Sequence, residues 1–269
     1  MNKFYFSLLL AMFSGLFSFA QRGPSKSEIT FMTYNIYHGE NPYSPGVTNI
    51  PEIAKLINQI NPDFVAFQEV DSMTIRTESF NYGRKMDLMQ ELGKLTGMQP
   101  FFANAIDFSE GGYGEGILSR MPASFQTYAL PVPNGGEGRT LAVAKVDIGN
   151  GKTITFAGTH LCHEYAENRT AQVVAIQNIL SGFDGNVVLT GDFNFTSEES
   201  GYMILSKSFL DAAYEFGNPQ NTYSSKDPKN RIDYFWVAKQ TDWEIVSVEV
   251  LDVAYSDHKP LLLKARFVN

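Results

Sequence analysis

Asn186-Val187-Val188-Leu189-Thr190-Gly191-Asp192-Phe193-Asn194 is an apolar run that ends in a glycine, a carboxylate and an amide. Asn186 to Thr190 reads as a buried strand, which sets the oxygens of Asp192 and Asn194 at its end. A second stretch has the same design. Ile245 to Ala254 reads as a strand, and Ser256-Asp257-His258-Lys259-Pro260 follows it. Carboxylates at the end of a core strand are costly unless something cationic meets them. A divalent metal with a phosphate ester is one candidate. Turn-forming Asp and Asn residues that cap strands account for either run alone. They account less well for both runs together with their polar partners upstream.

Working outward, the apolar patterning alternates between strands and helices. Glu28 to Ile36 and Asp63 to Glu69 read as strands, with a helix over Ile50 to Ile60 that carries Pro51 in its first turn. A second helix is expected around Gly83 to Thr96. Shorter strands follow at Gln99 to Ala105, Gly116 to Ser119, Phe125 to Leu130, Leu141 to Asp147 and Thr153 to Gly158. Tyr165 to Leu180 reads as a helix and Ser197 to Ser206 as a short one. Arg231 to Val237, Trp243 to Val253 and Leu261 to Phe267 read as strands. Gly111-Gly112 and Pro131 to Gly138 read as flexible turns. With no long linker and no repeat, this order predicts one α/β domain of packed sheets with helices outside.

The first residues stand apart from the fold. Met1-Asn2-Lys3 is weakly basic, Phe4 to Phe19 is apolar, and Ser18-Phe19-Ala20 offers a small-x-small cleavage site. Residues 1–20 are therefore expected to be a signal peptide, and 21–269 a single catalytic domain acting in a secreted or periplasmic setting. A retained membrane anchor is the alternative. No later stretch approaches about 18 apolar residues, so stable membrane insertion is not expected once the leader is removed. The lone cysteine, Cys162, excludes an intramolecular disulfide framework. The net charge of −8, from 21 basic and 29 acidic residues, argues against tight backbone-driven binding of long nucleic acid. A nuclease is not excluded, because a local basic groove or a bound metal can act inside an acidic protein. Monomer is the default oligomeric state.

Four histidines are placed near strand ends. His38 follows the first strand, His160 and His163 the strand ending at Gly158, and His258 sits in the Ser-Asp-His run. Polar groups from different strands converge when they share one sheet rim, where open α/β architectures place ligands. A satisfied turn residue is the plainer reading of each histidine alone. Gln68-Glu69 ends the second strand, and Glu69 reads as the direct metal ligand of the N-terminal half. A salt bridge from Glu69 to Arg76 or Arg84 is the rival reading. A hard cation such as Mg²⁺ or Mn²⁺ takes carboxylate and amide oxygens, which Glu69, Asn35, Asp192, Asn194 and Asp257 offer.

The sequence resembles the endonuclease/exonuclease/phosphatase superfamily, which includes DNase I-like nucleases, exonuclease III-like enzymes, inositol polyphosphate 5-phosphatases and sphingomyelinases. Seven pieces occur in family order: Thr33-Tyr34-Asn35-Ile36, Gln68-Glu69-Val70, Tyr113 through Arg120, Thr159-His160-Leu161, Gly191-Asp192-Phe193-Asn194, Arg231-Ile232-Asp233-Tyr234 and Ser256-Asp257-His258. The resemblance implies a four-layered α/β sandwich and metal-dependent phosphoester hydrolysis. It implies Glu69 as central metal ligand with Asn35 beside it, and Asp257 completing the metal-facing surface. Asp192 would position or deprotonate the attacking water, and Asn194 would hold phosphate or metal. His258 would be the catalytic histidine, oriented by Asp233, and His160 would touch the scissile phosphate.

Departures from the family pattern bear on substrate. Tyr37 stands where repair nucleases commonly have an Asp, with His38 as a compensating phosphate donor or outer group. Glu115 precedes the Ile117-Leu118-Ser119-Arg120 run and either pairs with Arg139 or lies in solvent. Tyr113 is a candidate phosphate donor, against ordinary strand packing. Arg139, Arg169 and Arg76 are the bases expected nearest the site, as phosphate clamps or scaffold partners. Cys162 reads as structural. The expected function is a secreted phosphodiesterase or nuclease. A phosphatase or phosphodiesterase acting on small molecules, inositol phosphates or lipid head groups is the alternative. A noncatalytic binding protein on the same fold is disfavoured by the intact Glu69, Asp192, Asn194, Asp233 and His258.

Overall fold

The computed structural model describes residues 28–149, 151–183 and 186–268, so the expected 1–20 leader lies outside the described residues. The chain forms β1 (Glu28–Asn35), α1 (Ile50–Ile60), β2 (Phe64–Ser72), α2 (Ile75–Phe80), α3 (Leu88–Thr96), β3 (Gln99–Phe108) and β4 (Gly111–Ser119). β5 (Ser124–Leu130), β6 (Arg139–Gly149), β7 (Lys152–His160), α4 (Ala166–Leu180) and β8 (Asn186–Asp192) follow. α5 (Ser200–Leu205), β9 (Phe209–Asp211), α6 (Ala212–Phe216), β10 (Asp233–Ala238), β11 (Trp243–Val250) and β12 (Leu261–Phe267) complete it.

Two six-stranded sheets result, ordered β11-β12-β1-β2-β4-β3 and β5-β6-β7-β8-β10-β9. Each holds one parallel pair at its centre, β1 with β2 and β7 with β8. Each pair is joined through a helix, α1 or α4, as parallel strands require. Phe31, Phe64, Phe156, Ile117, Val188 and Phe235 fill the space between the sheets. α1 turns Ile50, Ile53, Ala54 and Ile57 inward, and with Leu88, Met89 and Leu92 of α3 it covers the first sheet. Val173, Ile176 and Leu180 of α4 cover the second. The architecture is thus a four-layered α/β sandwich of two mixed sheets between helices. Gly158 and Ala66 mark a close approach of the sheets, since a Cβ at Gly158 would lie 2.9 Å from that of Ala66. Among the described residues no helix is long and apolar enough to cross a membrane.

Several local expectations are corrected. The helix expected from Gly83 begins only at Leu88, because Asp87 caps it by accepting from the Gln90 backbone N–H at 2.9 Å. Met86 is drawn away instead, its N–H donating to Thr77 Oγ1. Gly111-Gly112 is strand, not turn. The turn is Ser109-Glu110, and a Cβ on Gly111 would lie 2.4 Å from the Ser72 carbonyl oxygen. The strand expected to run as far as Ala254 stops at Val250, where Leu251 N–H turns to the Pro260 carbonyl. α2, β9 and α6 are each six residues or fewer, too short to show a period.

Candidate active site

Register gathers the site before any side chain is considered. His160 pairs with Asp192 across β7 and β8, and Asp192 with Asp233 across β8 and β10. Directly paired residues share a face, so all three side chains stand together on the second sheet. Gly191 makes the spacing possible: its φ is 139° and a Cβ there would lie 1.9 Å from the Thr159 carbonyl oxygen. On the first sheet, Asn35 ends β1. Glu69 sits in a bulge of β2, where the register against β4 shifts between Phe67 and Val70. Its φ of 56° re-aims the carboxylate, a use of bulges common beside functional sites.

Side chains from both sheets then meet. Asn35 Nδ2 donates to Glu69 Oε1 at 3.0 Å and to Asp192 Oδ2 at 3.2 Å, and stands 3.4 Å from His258 Nε2. His258 Nδ1 lies 2.9 Å from Asp233 Oδ2, and its Nε2 lies 3.6 Å from Asp192 Oδ2. The ligand atoms of Asp192, Asp233 and His258 all fall within 4.8 Å of one another, compact enough to hold a metal ion. Above them opens a cleft of about 350 Å³ lined by Glu69, Tyr113, Arg139, His160, Asp192 and Asn194. Glu137, His163, Tyr223, Ile232, Asp257 and His258 complete its wall. Asn35 and Asp233 lie beneath this surface and act through the residues they bond.

The charge states follow from these contacts. Burial alone would lower the His258 pKa, but Asp233 and then Asp192 outweigh it and lift it to about 10. His258 is therefore an imidazolium at neutral pH. Burial, then the Arg139 charge, drives His160 well below the ordinary histidine value. Arg139 Nη1 lies 3.2 Å from His160 Nδ1, and a guanidinium can only donate. His160 is thus neutral with its proton on Nε2, which faces Asp192 Oδ2 at 3.4 Å. Burial alone would raise Glu69, but the facing His38 ring and the Asn35 amide bring it down to about 2. Burial raises both Asp192 and Asp257, with His258 opposing in each case; Asp233 reinforces the first and Glu69 the second.

Other expected residues fall at differing distances from the cleft. Tyr113 lines it, and burial followed by the Glu69 charge keeps its hydroxyl protonated. Asn194, in the left-handed region at φ 51°, donates from Nδ2 to the Leu161 carbonyl at 3.0 Å, which fixes its amide at the wall. His38 does not line the cleft. It bridges Glu40 at 3.2 Å and Glu69 at 4.0 Å from behind.

Four expectations are revised. Asn35 turns nitrogen, not oxygen, toward Glu69, because its Oδ1 accepts the Tyr37 backbone N–H at 3.2 Å. It serves there as a donor rather than a cation ligand. Arg169 is absent from the cleft wall, since its guanidinium is held by Glu199 at 2.6 Å and by the Cys162 carbonyl. Arg76 binds Asp71 in a two-point contact instead of Glu69. Glu115 is buried and accepts from Thr140 Oγ1, while Arg139 takes Glu137 at 2.8 Å as its carboxylate. Burial lifts Glu115 to about 8.

Sequence reasoning missed Tyr223, which lines the cleft and packs its ring on His258 with centroids 4.8 Å apart. An aromatic side chain in a polar loop shortly before Arg231-Ile232-Asp233-Tyr234 was the available signal. Glu137 was missed as well, hidden in a turn rich in glycine.

The model of the Endonuclease/Exonuclease/phosphatase family matches residues 32–258. No curated protein matches the chain in sequence. Among solved structures, an endonuclease/exonuclease/phosphatase from Beutenbergia cavernae superposes with a TM-score of 0.74 at 21% identity, covering 90% of this chain and 72% of that one. A functionally unknown conserved protein from Enterococcus faecalis gives 0.74 at 20% identity, over 89% of this chain and 100% of the other. A mannosyl-6-phosphatase from Bacteroides thetaiotaomicron gives 0.72 at 16% identity, with 89% and 100% coverage. At these identities the likeness to solved structures establishes the fold.

Proposed function

We propose that this chain, which belongs to the endonuclease/exonuclease/phosphatase family, is a divalent-metal-dependent phosphoester hydrolase using Mg²⁺ or Mn²⁺. The observation that carries the reading is the meeting of Glu69, Asp192 and Asp257 in one cleft with a His258–Asp233 pair at 2.9 Å. The donor set fits a hard cation. Glu69 is held ionised, while burial, reinforced by a neighbouring carboxylate in each case, raises Asp192 and Asp257, whose charged forms a bound cation would favour. Glu69 and Asp257 would hold the ion, which when bound polarises the phosphate and neutralises charge on its oxygens.

The chain's own residues divide the remaining work. His258, charged and oriented by Asp233, donates from Nε2 to the phosphate. His160 donates from Nε2 as a neutral ring, its tautomer set by Arg139. Asp192 orients the attacking water and receives its proton as its raised pKa allows. Asn35 holds Asp192 and Glu69 at fixed separation, and His38 supports Glu69. Tyr113, Arg139 and Asn194 bind phosphate oxygens.

A phosphate ester with a small organic portion suits the site better than long DNA. The cleft is about 350 Å³ and the chain carries a net charge of −8, which opposes a polyanion. The mannosyl-6-phosphatase among the structural relatives is a precedent for a small phosphate ester on this fold. We take the chain to act after export and cleavage following Ala20, a reading that rests on the leader sequence. Hydrolysis of p-nitrophenyl phosphate and bis-p-nitrophenyl phosphate, with Mg²⁺ or with EDTA, tests the reaction. Turnover should require the metal and collapse in His258→Ala. Metal-independent turnover, or none with either compound, would overturn it.

A further inference from the structure

A second cavity, of about 590 Å³, opens beside the cleft. Three chain segments line both. Asn194 faces the cleft while Thr196 and Ser197 face the cavity; Tyr223 faces the cleft and Asn221 the cavity; Ile232 faces the cleft and Arg231 the cavity. The two spaces therefore lie along the same three loops, on either side of the β10 start.

The chemistry of the cavity differs from that of the cleft. Its accessible aromatic surface comes from Tyr214 and the half-buried Tyr202, while Tyr234, which also borders it, is itself buried. Tyr234 Oη donates to backbone carbonyls and Tyr202 Oη to Asp211, so both rings are locked in place before anything binds. Tyr214 is 71% exposed. Arg231 offers no free anion clamp, since its Nη1 and Nη2 both donate to the Asp211 carboxylate and the group lies 4.4 Å over the Tyr234 ring. Lys229 is paired with Asp227 at 2.8 Å. The remaining polar side chains there, Thr196, Ser197, Asn221 and Asn230, are neutral donors and acceptors. Aromatic faces with neutral hydroxyls and amides, and positive charges already matched, suit an uncharged ring bearing many hydroxyls.

We propose that this cavity is a binding subsite for a sugar ring, so that the preferred substrate is a phosphorylated oligosaccharide with its phosphate-bearing unit in the cleft and the next unit beside Tyr214. The inference rests on the phosphoester-hydrolase reading and names a substrate class for it. A second phosphodiester unit, as in a nucleic acid, would bring a negative charge to a cavity whose two cations are already paired.

The full chain is assayed with Mg²⁺ on glucose 6-phosphate, trehalose 6-phosphate and the dinucleotide TpT, with p-nitrophenyl phosphate as reference. kcat/KM for trehalose 6-phosphate should exceed that for glucose 6-phosphate about tenfold. Tyr214→Ala, which removes an exposed ring, and Ser197→Trp, which fills the cavity, should each reduce that ratio about fivefold to tenfold. Equal rates on the two sugar phosphates, a ratio unmoved by both variants, or a variant-sensitive preference for TpT would each overturn the subsite. Failure to turn over even p-nitrophenyl phosphate would instead defeat the reaction assignment on which it rests.

Discussion

Asp233→Asn isolates the charge that Asp233 supplies to His258 while preserving shape and an accepting oxygen. In the native arrangement the imidazole is buried, which alone would lower its pKa, yet Asp233 at 2.9 Å and Asp192 at 3.6 Å hold it at about 10. The interval from the ordinary 6.5, at about 1.36 kcal/mol for each pH unit, corresponds to an upper bound of about 5 kcal/mol favouring the charged ring in the folded state. The sign follows from the raised value. This stabilisation is fully present below pH 6.5 and is lost as the pH rises through about 10. Wild-type unfolding free energy, measured in urea with EDTA present, should therefore fall across that window, and Asp233→Asn should flatten the fall. The His258 ring, followed by NMR, should titrate near the ordinary histidine range in the variant. Loss of the charged donor should lower kcat on bis-p-nitrophenyl phosphate by on the order of 10²- to 10⁴-fold. A variant whose His258 still titrates near pH 10, or whose stability declines in parallel with the wild type, would refute the reasoning.

Three further perturbations test other parts of the site. Glu69→Gln should raise the Mg²⁺ concentration needed for half-maximal turnover and reduce kcat/KM by on the order of 10²-fold or more, as read by metal titration. Because the Glu69 pKa is lowered to about 2, its native contribution is present above pH 4.5 and lost as pH falls through 2, so the variant should show a shallower acid-stability curve. Glu115→Gln should remove a loss of stability that the wild type shows between pH 4.5 and about 8, since across that range the unfolded carboxyl ionises while the buried one stays protonated; unchanged pH dependence would count against it. Gly191→Ala should cost on the order of 3 kcal/mol in urea unfolding, because a methyl group cannot occupy a position 1.9 Å from the Thr159 oxygen at φ 139° without moving β7.

The sequence made the strand ends legible because apolar runs stop abruptly there. Asp192, His160 and Asp233 each close or open such a run, and their pairing follows once the strands are adjacent. α1 matched its expected span because Pro51 and the Ile50, Ile53, Ile57 stripe mark both its start and its buried face. What stayed hidden was direction. Nothing local indicates that Glu69 adopts φ 56° in a bulge, which depends on the partner strand β4. Arg169 and Arg139 look alike in sequence, and only the positions of Glu199 and His160 assign one to the scaffold and one to the cleft. Glu115 reads as a partner of Arg139 or a solvent-facing acid until β6 covers it with Thr140.

His258 precedes β12, the strand that returns to the first sheet beside β1, yet its ring is held by Asp233 of the second sheet. Asn35 of the first sheet likewise grips Asp192 of the second. These contacts make the site a clasp between the sheets, closed by a chain segment more than two hundred residues from β1. Contacts of such long sequence separation form late and slowly. Turnover should therefore be the last property to return during refolding, after secondary structure and after burial of aromatic side chains, and a chain that has folded only one sheet should have no activity at all.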